Sequence, residues 1–407
     1  MRRLPPVWLM GLGFPIGVFS AVAVITVPSL LSQHHVREPV IAAITTLAIF
    51  SGFLSFLLAP LLDWRFSRRV WALFFACLTA ASVFAALMSL SDPRVLAAVF
   101  ILGGLAYGLL AAAVGGWFGA IVADKDKVAL GAWLTVGNFA SGGVAAALAI
   151  PILRDLPEGL GAGVLALLVL SVVPLLVLTP CPKADGRLAS ESFAAFFADV
   201  LALLRRPVVL LTLVLFILPA ASFALTNTLG GLGADFHASA ALVGKVGGVG
   251  TVLAGIFGAL LVPPLARRLS PRPLYLAVGA SGAAFTLLLL ALPRIPAVFA
   301  LAFLGESIFQ AAAGSVQSAI TLRTIAPGSP LAATQFGLLV SASILPLAYM
   351  QALDGTAYGL FGGLSGALCG DALFSLAAVV VLAALLWRLR RAPFLAIPLA
   401  EGEPAAA

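Results

Sequence analysis

The stretch AVFALAFLGESIFQAAAGSVQSAITLRT, residues 297–324, decides how the chain folds. It is apolar enough and long enough to cross a lipid bilayer, which takes about 20 helical residues. Glu306 nevertheless lies well inside it, and Gln310, Gly314 and Gln317 follow at spacings that stack on one face of a helix. The sequence therefore predicts a membrane-spanning helix with one polar stripe that carries a carboxyl group.

Glu306 has two interpretations. A charge at this depth costs about 2.5–3.5 kcal/mol on membrane-insertion scales, so the side chain is expected to face protein or a water-filled cavity rather than lipid. In the functional interpretation Glu306 binds a proton or a substrate, the default for ionisable groups within a membrane. In the structural one it is a helix-packing carboxyl group that stays protonated or pairs with a neighbour.

The composition places the whole chain in lipid. Of its 407 residues, 62% are hydrophobic and 10% charged, with a mean hydropathy of +1.14, whereas soluble domains carry about 25% charged residues. The net charge of +7 comes from basic residues in short loops between apolar runs. Basic loops are typical of topology signals, so we expect a lipid bilayer and no nucleic acid as partner.

Twelve apolar runs are predicted to be transmembrane helices, because only helices and closed barrels can cross hydrocarbon and these runs are too long for barrel strands. They cover residues 6–31, 39–62, 70–90, 95–122, 128–150, 160–179, 207–230, 239–263, 273–292, 297–324, 330–352 and 366–388. The first follows Arg2 and Arg3 like a signal peptide, but it continues past the candidate cleavage site, so we interpret it as an uncleaved span. Most Lys and Arg residues fall on the side that holds both termini, which predicts that both termini are cytoplasmic.

The chain is predicted to consist of two similar halves. A shift of 204 residues superposes loop register and several prolines and aromatics, as in Pro15 on Pro219, Phe19 on Phe223, Pro60 on Pro264, Arg68 on Arg272 and Trp71 on Tyr275. We therefore predict a six-helix bundle over 1–180, a cytoplasmic linker with an amphipathic helix over 181–206, a second six-helix bundle over 207–391 and a cytoplasmic tail over 392–407. Two parallel six-helix repeats are the pattern of major facilitator transporters.

The loop between the second and third predicted spans carries Asp63 close to Arg68 and Arg69. An ion pair there would latch the cytoplasmic side and break when a gate opens. The alternative is a topology signal with a solvated pair worth about 0–1 kcal/mol.

Lys245 is the one basic residue within a predicted span. It either extends outward to the membrane surface or neutralises Glu306 or Asp371. Asp371, Asp354 and Asp235 lie near outer helix ends and are predicted to be structural. Candidate contacts to a small-molecule substrate are the polar residues of the other spans, together with this lysine: Gln310, Gln317, Asn227, Tyr107, Asn138 and Lys245.

Prolines interrupt the first and seventh predicted spans at pseudo-equivalent positions. Pro15 and Pro219 each remove a backbone hydrogen bond and permit bending, which suits a transporter with alternating access. Signatures of enzymes are missing: Lys245 follows Gly244 without a phosphate loop, and His34 and His35 lack a metalloprotease frame. We therefore expect no enzyme, no cofactor, no metal and no disulfide framework.

Several segments resemble the AmpG-type permeases of the major facilitator superfamily. The similarity rests on Ala59-Pro60-Leu61-Leu62-Asp63 with Arg68-Arg69, on Glu306 ahead of a small-residue run, and on Ala333-Thr334-Gln335-Phe336-Gly337-Leu338 followed by Leu353-Asp354-Gly355. The chain departs from that pattern in its short second loop and in Gly13-Phe14-Pro15, where the family has Gly-Leu-Pro. Twelve spans also fit the siderophore-importing branch better than the muropeptide permeases, which have two more.

The resemblance implies a monomeric, proton-driven importer of the bacterial inner membrane, with spans 1, 4, 7 and 10 around a central cavity. Glu306 is the candidate for proton coupling, and the solute is siderophore-like or muropeptide-like. Two alternatives are a sensor or scaffold that keeps the fold without transport, and a polytopic membrane enzyme. An enzyme would need clustered His, Asp or Ser residues at one membrane face, and the sequence contains no such cluster.

Overall fold

The structure is a computed structural model that describes residues 6–64, 66–180, 193–229, 231–326 and 329–389. All regular secondary structure within these ranges is helical. The predicted cytoplasmic tail, 392–407, and the first part of the predicted linker, 181–192, lie outside the described residues.

Ten helical segments of the described chain are long and apolar enough to cross a membrane. They begin and end as follows: α1 Trp8–Gln33, α3 Arg68–Met88, α4 Pro93–Ile121, α5 Lys127–Asp155, α6 Gly159–Leu178, α10 Ala241–Leu265, α11 Pro271–Leu290, α12 Pro296–Thr324, α13 Ala332–Leu360 and α14 Leu364–Leu389. The shorter helices between them are α2 Glu38–Leu54, α7 Phe193–Leu204, α8 Pro207–Ile217 and α9 Leu225–Thr228. Each of the ten overlaps one predicted span, so hydropathy located these spans correctly.

The remaining two predicted spans, 39–62 and 207–230, are interrupted. The α-helix of the first ends at Leu54 and continues as two 3₁₀ turns, Ser55–Leu57 and Ala59–Asp63. Pro60 stands in the first turn of the second of these segments, where its missing N–H costs least. The second helix, α8, has only 11 residues and meets the end of α7 at an angle of 63°.

Pro219 explains why α8 ends where it does. A proline inside a helix removes one hydrogen bond and its ring clashes with the preceding turn. The chain leaves the helix after Ile217, passes through Phe223 with a left-handed backbone (φ 48°), and returns to a helix only at Leu225. Pro15 behaves differently, because it stands in the first turn of the α-helical part of α1, which it does not break.

Glycines let α1 and α5 approach closely. A Cβ atom on Gly13 or Gly17 would collide with the backbone of α5 at Asn138, and the Ser141 hydroxyl donates a hydrogen bond to the Phe14 carbonyl at 3.2 Å. These small residues at a helix crossing are typical of membrane helix packing.

Among the described residues, the most extensive contacts between the segment 1–180 and the segment 207–391 come from three helix pairs. Helix α5 packs against α10 and α12, and α4 packs against α13. The polar stripe of α12 and the start of α13 therefore lie beside the N-terminal part of the chain, and this arrangement determines the geometry of the candidate site.

Candidate functional site

Glu306 lies ten residues after Pro296, the first residue of α12, or about 15 Å along the helix axis. Its side chain is completely buried. The Thr286 hydroxyl of α11 donates a hydrogen bond to Oε1 at 2.5 Å, and Oε2 has no partner. The Thr286 hydroxyl, which has one proton to donate, also lies 3.1 Å from the Gly282 carbonyl oxygen, four residues earlier. An unpartnered carboxyl oxygen at this depth is costly.

The rest of the polar stripe meets the irregular segment that follows Pro219. The Gln310 side-chain amide donates to the Thr226 hydroxyl at 2.6 Å. Gly314 faces open space, and Gln317 is half-buried. Asn227, next to Thr226, is exposed. The structure thus brings Gln310 close to the segment that carries Asn227.

Tyr107 of α4 lines a cavity of about 140 Å³ between α4 and α13, which we name the Tyr107 cavity. Its ring stacks on Phe19 with centroids 4.9 Å apart. Phe336 and Ser341 of α13 line the opposite wall, and Ser55 contributes a hydroxyl. Glu306 does not line this cavity.

A second cavity, of about 220 Å³, lies near the end of α13, and we name it the Asp354 cavity. Asp354 is only 2% exposed, and neither of its carboxyl oxygens has a partner. Asp371 of α14 is 3% exposed, and its Oδ1 lacks a partner. The sequence analysis treated both as structural residues at helix ends. The predicted spans, 330–352 and 366–388, placed Asp354 outside its helix, whereas the structure places both acids six or seven residues inside their helices.

Asp63 contacts the start of α13, on the opposite face from the Asp354 cavity. Its carboxylate pairs with Arg68 at 2.9 Å and accepts hydrogen bonds from the backbone N–H groups of Ala333 (3.2 Å) and Thr334 (2.8 Å), and from the Thr334 hydroxyl (2.8 Å). A helix N-terminus favours negative charge because its N–H groups are free. Arg68 also donates to the Ser329 carbonyl at 2.9 Å.

Burial raises the pKa of the Asp63 carboxyl, against the opposing effects of the Arg68 charge and the Thr334 hydrogen bonds. The side chain of Asp63 is fully buried and that of Arg68 is 17% exposed, so the pair is largely buried, unlike the solvated pair that the sequence left open as an alternative. The Asp63 carboxylate binds Arg68 in its own half of the chain. It also binds the start of α13, about 270 residues away in sequence.

Arg69 does not share the contact of Arg68. Its guanidinium donates to the Thr179 carbonyl and lies over the Trp117 ring, 5.6 Å from the centroid. A further contact on the same face, absent from the sequence analysis, comes from Lys127. This lysine is completely buried, and its ammonium donates to the Ile325 carbonyl at the end of α12 (2.9 Å) and pairs with Asp124 (2.8 Å).

The remaining predicted contacts are dispersed. Asn138 is half-buried where α1 crosses α5. Lys245 is exposed, and none of the ion pairs found among the described residues includes it. The structure therefore does not bring Lys245 together with Glu306 or Asp371.

Comparisons with known proteins now define the class of this protein. The family model described as Major Facilitator Superfamily matches residues 7–346, so the chain belongs to the major facilitator superfamily. A comparison with curated protein sequences gives no match.

Solved structures of transporters share the fold. The human organic anion transporter MFSD10 is 20% identical, with a TM-score of 0.71, covering 93% of this chain and 100% of its own. The Escherichia coli fucose:proton symporter FucP is 16% identical, with a TM-score of 0.72, covering 94% and 98%. The proton:xylose symporter XylE is 12% identical, with a TM-score of 0.69, covering 94% of each chain. The family and these neighbours indicate a multi-pass membrane transporter rather than an enzyme.

Proposed function

We propose that this protein is a proton-coupled secondary transporter that imports a small organic solute across the bacterial inner membrane. In this proposal two six-helix bundles, 1–180 and 207–391, alternate in access around a central site, with twelve spans and both termini in the cytoplasm. The interrupted segments 39–62 and 207–230 supply the two spans beyond the ten continuous ones. The chain acts as a monomer of the AmpG-like group.

The environment of Glu306 is the observation that carries the proposal. A membrane-buried carboxyl group with one hydroxyl donor and one unpartnered oxygen is suited to gaining and losing a proton, and ionisable groups at this depth mark ion pathways in transporters. Two structural neighbours, FucP and XylE, are proton symporters, which supports the same coupling ion here.

The Asp63 contact supports a gate. It joins the loop that precedes α3 to the start of α13, so it closes one face between the two halves. Opening of that face requires Asp63 to leave the Ala333 and Thr334 amides. Arg68 moves with Asp63 in the same step, and Arg69 fixes the loop to the Thr179 carbonyl.

The solute site lies at the Tyr107 cavity and the stripe of α12. Apolar side chains such as Ile16, Val340 and Ile344 line much of the cavity, and Tyr107, Ser55 and Ser341 add hydroxyl groups. This lining suits an apolar part of an organic solute with a few hydrogen-bonding groups. Pockets for drug-sized ligands measure about 300–1,000 Å³. The cavity therefore accommodates part of a siderophore-like or muropeptide-like solute, and the rest contacts Gln310, Gln317, Asn227, Asn138 and Lys245 after opening.

Uptake by reconstituted protein tests the proposal. Purified protein in liposomes is given labelled ferric siderophore, anhydromuropeptide or acetyl-CoA, with and without an imposed pH gradient. One of these solutes is expected to accumulate when the gradient is present. Glu306→Gln is expected to abolish the accumulation while exchange of solute without net proton movement continues.

The matched control is Asp155→Asn, an exposed acid at the end of α5, which is expected to leave both measurements unchanged. Accumulation that survives Glu306→Gln would remove Glu306 from the coupling mechanism. Absence of exchange with the whole panel would favour a sensor or scaffold on a transporter fold.

A further inference from the structure

The Asp354 cavity contains a carboxyl group for which the proposed function has no role. Six residues separate Asp354 from the end of α13, about 9 Å along the axis. The side chain is 2% exposed and lines the cavity with two unpartnered oxygens. Thr228, Leu232 and Tyr358 complete most of the wall. A buried polar group without a partner needs an explanation, and this one faces a cavity.

Asp371 lies on the helix that packs directly against Asp354. Helices α13 and α14 are in contact, and a Cβ atom on Gly370 would lie 3.2 Å from the Ala357 side chain. Gly370 precedes Asp371, and Ala357 follows Asp354 by one helical turn. Asp371 is about 10 Å along its helix from Leu364, the first residue of α14, so the two carboxyl groups lie at similar depth on the same face of the protein.

Glu306 is the next carboxyl group inward. One hydrophobic cluster contains Ala302, one turn before Glu306 on the same side of α12, and Ala367, one turn before Asp371 on the same side of α14. Ala367 also lines the Asp354 cavity.

The charged and titratable groups around the three acids are engaged elsewhere or point away. Tyr358 donates its hydroxyl to Asp235 at 3.1 Å, and Arg294 donates to the Ser365 hydroxyl at 2.8 Å. Lys245 of α10 is exposed, and Tyr349 of α13 donates to the Ile217 carbonyl at 2.7 Å. Within the described ranges, no ion pair involves any of the three acids.

In the described part of the chain, the three acids are not arranged as the ligands of one metal ion. No group of three or more His, Cys, Asp or Glu side chains there converges as metal ligands. The three acids lie on helices that meet at one hydrophobic cluster, which includes Ala302 and Ala367 and contacts Tyr358. Three separate protonatable groups at increasing depth are suited to carrying protons, because a proton binds to one carboxyl oxygen at a time.

We propose that Asp354, Asp371 and Glu306 form a proton route from the Asp354 cavity into the C-terminal half, resting on the proposed function of Glu306. A hydronium ion in the cavity protonates the Asp354 carboxylate and leaves water. The new O–H bond of Asp354 breaks as Asp371 gains the proton, and that of Asp371 breaks as Glu306 Oε2 gains it, directly or through water. Each donor is left as a carboxylate until the next proton arrives, so one proton enters for each proton delivered.

Time-resolved infrared spectroscopy after a pH jump tests the route without a transport substrate. The carboxyl band that Glu306→Gln removes identifies Glu306 in the full-length protein in lipid. Asp354→Asn and Asp371→Asn are each expected to slow the protonation of this band about 10²-fold, because positioned proton donors contribute about 10²–10⁴-fold to proton transfer. Asp155→Asn serves as the exposed control and is expected to keep the wild-type rate.

The outcomes separate the route from the proposed function. A Glu306 band that responds at the wild-type rate in both variants overturns the route and leaves the role of Glu306 intact. A Glu306 band that does not respond to the pH jump in the wild type overturns both. Asp354→Glu keeps a carboxyl group at this position, and we expect its rate to be close to that of the wild type. This recovery would not be expected if Asp354→Asn slowed protonation only through misfolding.

Discussion

Asp63→Asn is the perturbation whose effect follows most directly from the structure. Both oxygens of Asp63 accept hydrogen bonds, Oδ1 from Arg68 and the Ala333 amide, Oδ2 from the Thr334 amide and hydroxyl. Asparagine has almost the same shape but replaces one acceptor with an NH₂ donor. That donor faces either the Thr334 donors or the Arg68 guanidinium, and the negative charge is lost.

The magnitude comes from the hydrogen bonds that Asp63 accepts from Ala333 and Thr334 in the closed state only, since hydrogen bonds to charged groups contribute about 1.5–3 kcal/mol each and at least two of them are weakened. Asp63 has no exposed side-chain area and Arg68 has 17%, so solvent screens the pair only slightly. Each ~1.4 kcal/mol changes an equilibrium constant tenfold. We therefore expect the population of the closed state, relative to the open state, to fall by a factor of roughly 10² to 10³ or more.

Distances between two spin labels measure this shift. Val70, at the start of α3, and Leu269, just before α11, are both exposed on the face that Asp63 closes. Labels there, in a variant without native cysteines, are expected to give one short distance in the parent protein. Asp63→Asn is expected to add a longer distance that dominates the distribution.

The control is again Asp155→Asn, which leaves the closed face untouched and is expected to keep the short distance. An Asp63→Asn variant that is folded, binds lipid normally and keeps the short distance as its only population would refute the reasoning. In that case the hydrogen bonds to Ala333 and Thr334 do not hold the face closed.

Three further substitutions have defined expectations. Thr286→Val removes the donor to Glu306 Oε1, at a cost of about 1–3 kcal/mol for a buried unsatisfied group, and proton-driven uptake is expected to fall at least ~5-fold while insertion stays normal. Gly17→Ala places a methyl group against the α5 backbone and is expected to destabilise the protein by about 1–3 kcal/mol in thermal unfolding, whereas Gly163→Ala, which enters open space, is not. Lys127→Met removes the hydrogen bond to the Ile325 carbonyl, and label distances are expected to shift toward the open state, less than with Asp63→Asn.

The spans were predictable because hydropathy depends only on local composition. Residues 297–324 correspond to α12 within one residue, since Pro296 marks its start and apolar residues continue to Thr324. The interruption at Pro219 was predicted only as a bend. Whether a proline bends or ends a helix depends on what its neighbours supply, and here the chain adopts a left-handed residue at Phe223 that no local pattern requires.

The contacts of the candidate site were predictable only in part. The pairing of Asp63 with Arg68 follows from a spacing of five residues, and the structure contains that pair. Its other partners include the backbone N–H groups of Ala333 and Thr334, which carry no sequence signal. The sequence analysis missed the burial of Asp354 and Asp371. Hydropathy and loop charges locate the ends of a span along the sequence, but they do not tell which side of the helix faces protein.

The contact of Asp63 with main-chain amides has a consequence for how the two halves can be exchanged or redesigned. A side-chain pair tolerates reversal, since acid and base can trade places. An amide N–H has one polarity whatever residue carries it, so swapping Asp63 and Arg68 leaves a cation opposite a donor, and no substitution at Ala333 corrects the mismatch. A chimaera that takes its C-terminal half from a relative therefore keeps suitable N–H donors wherever the start of α13 is intact. Its N-terminal half must still carry an acid at position 63.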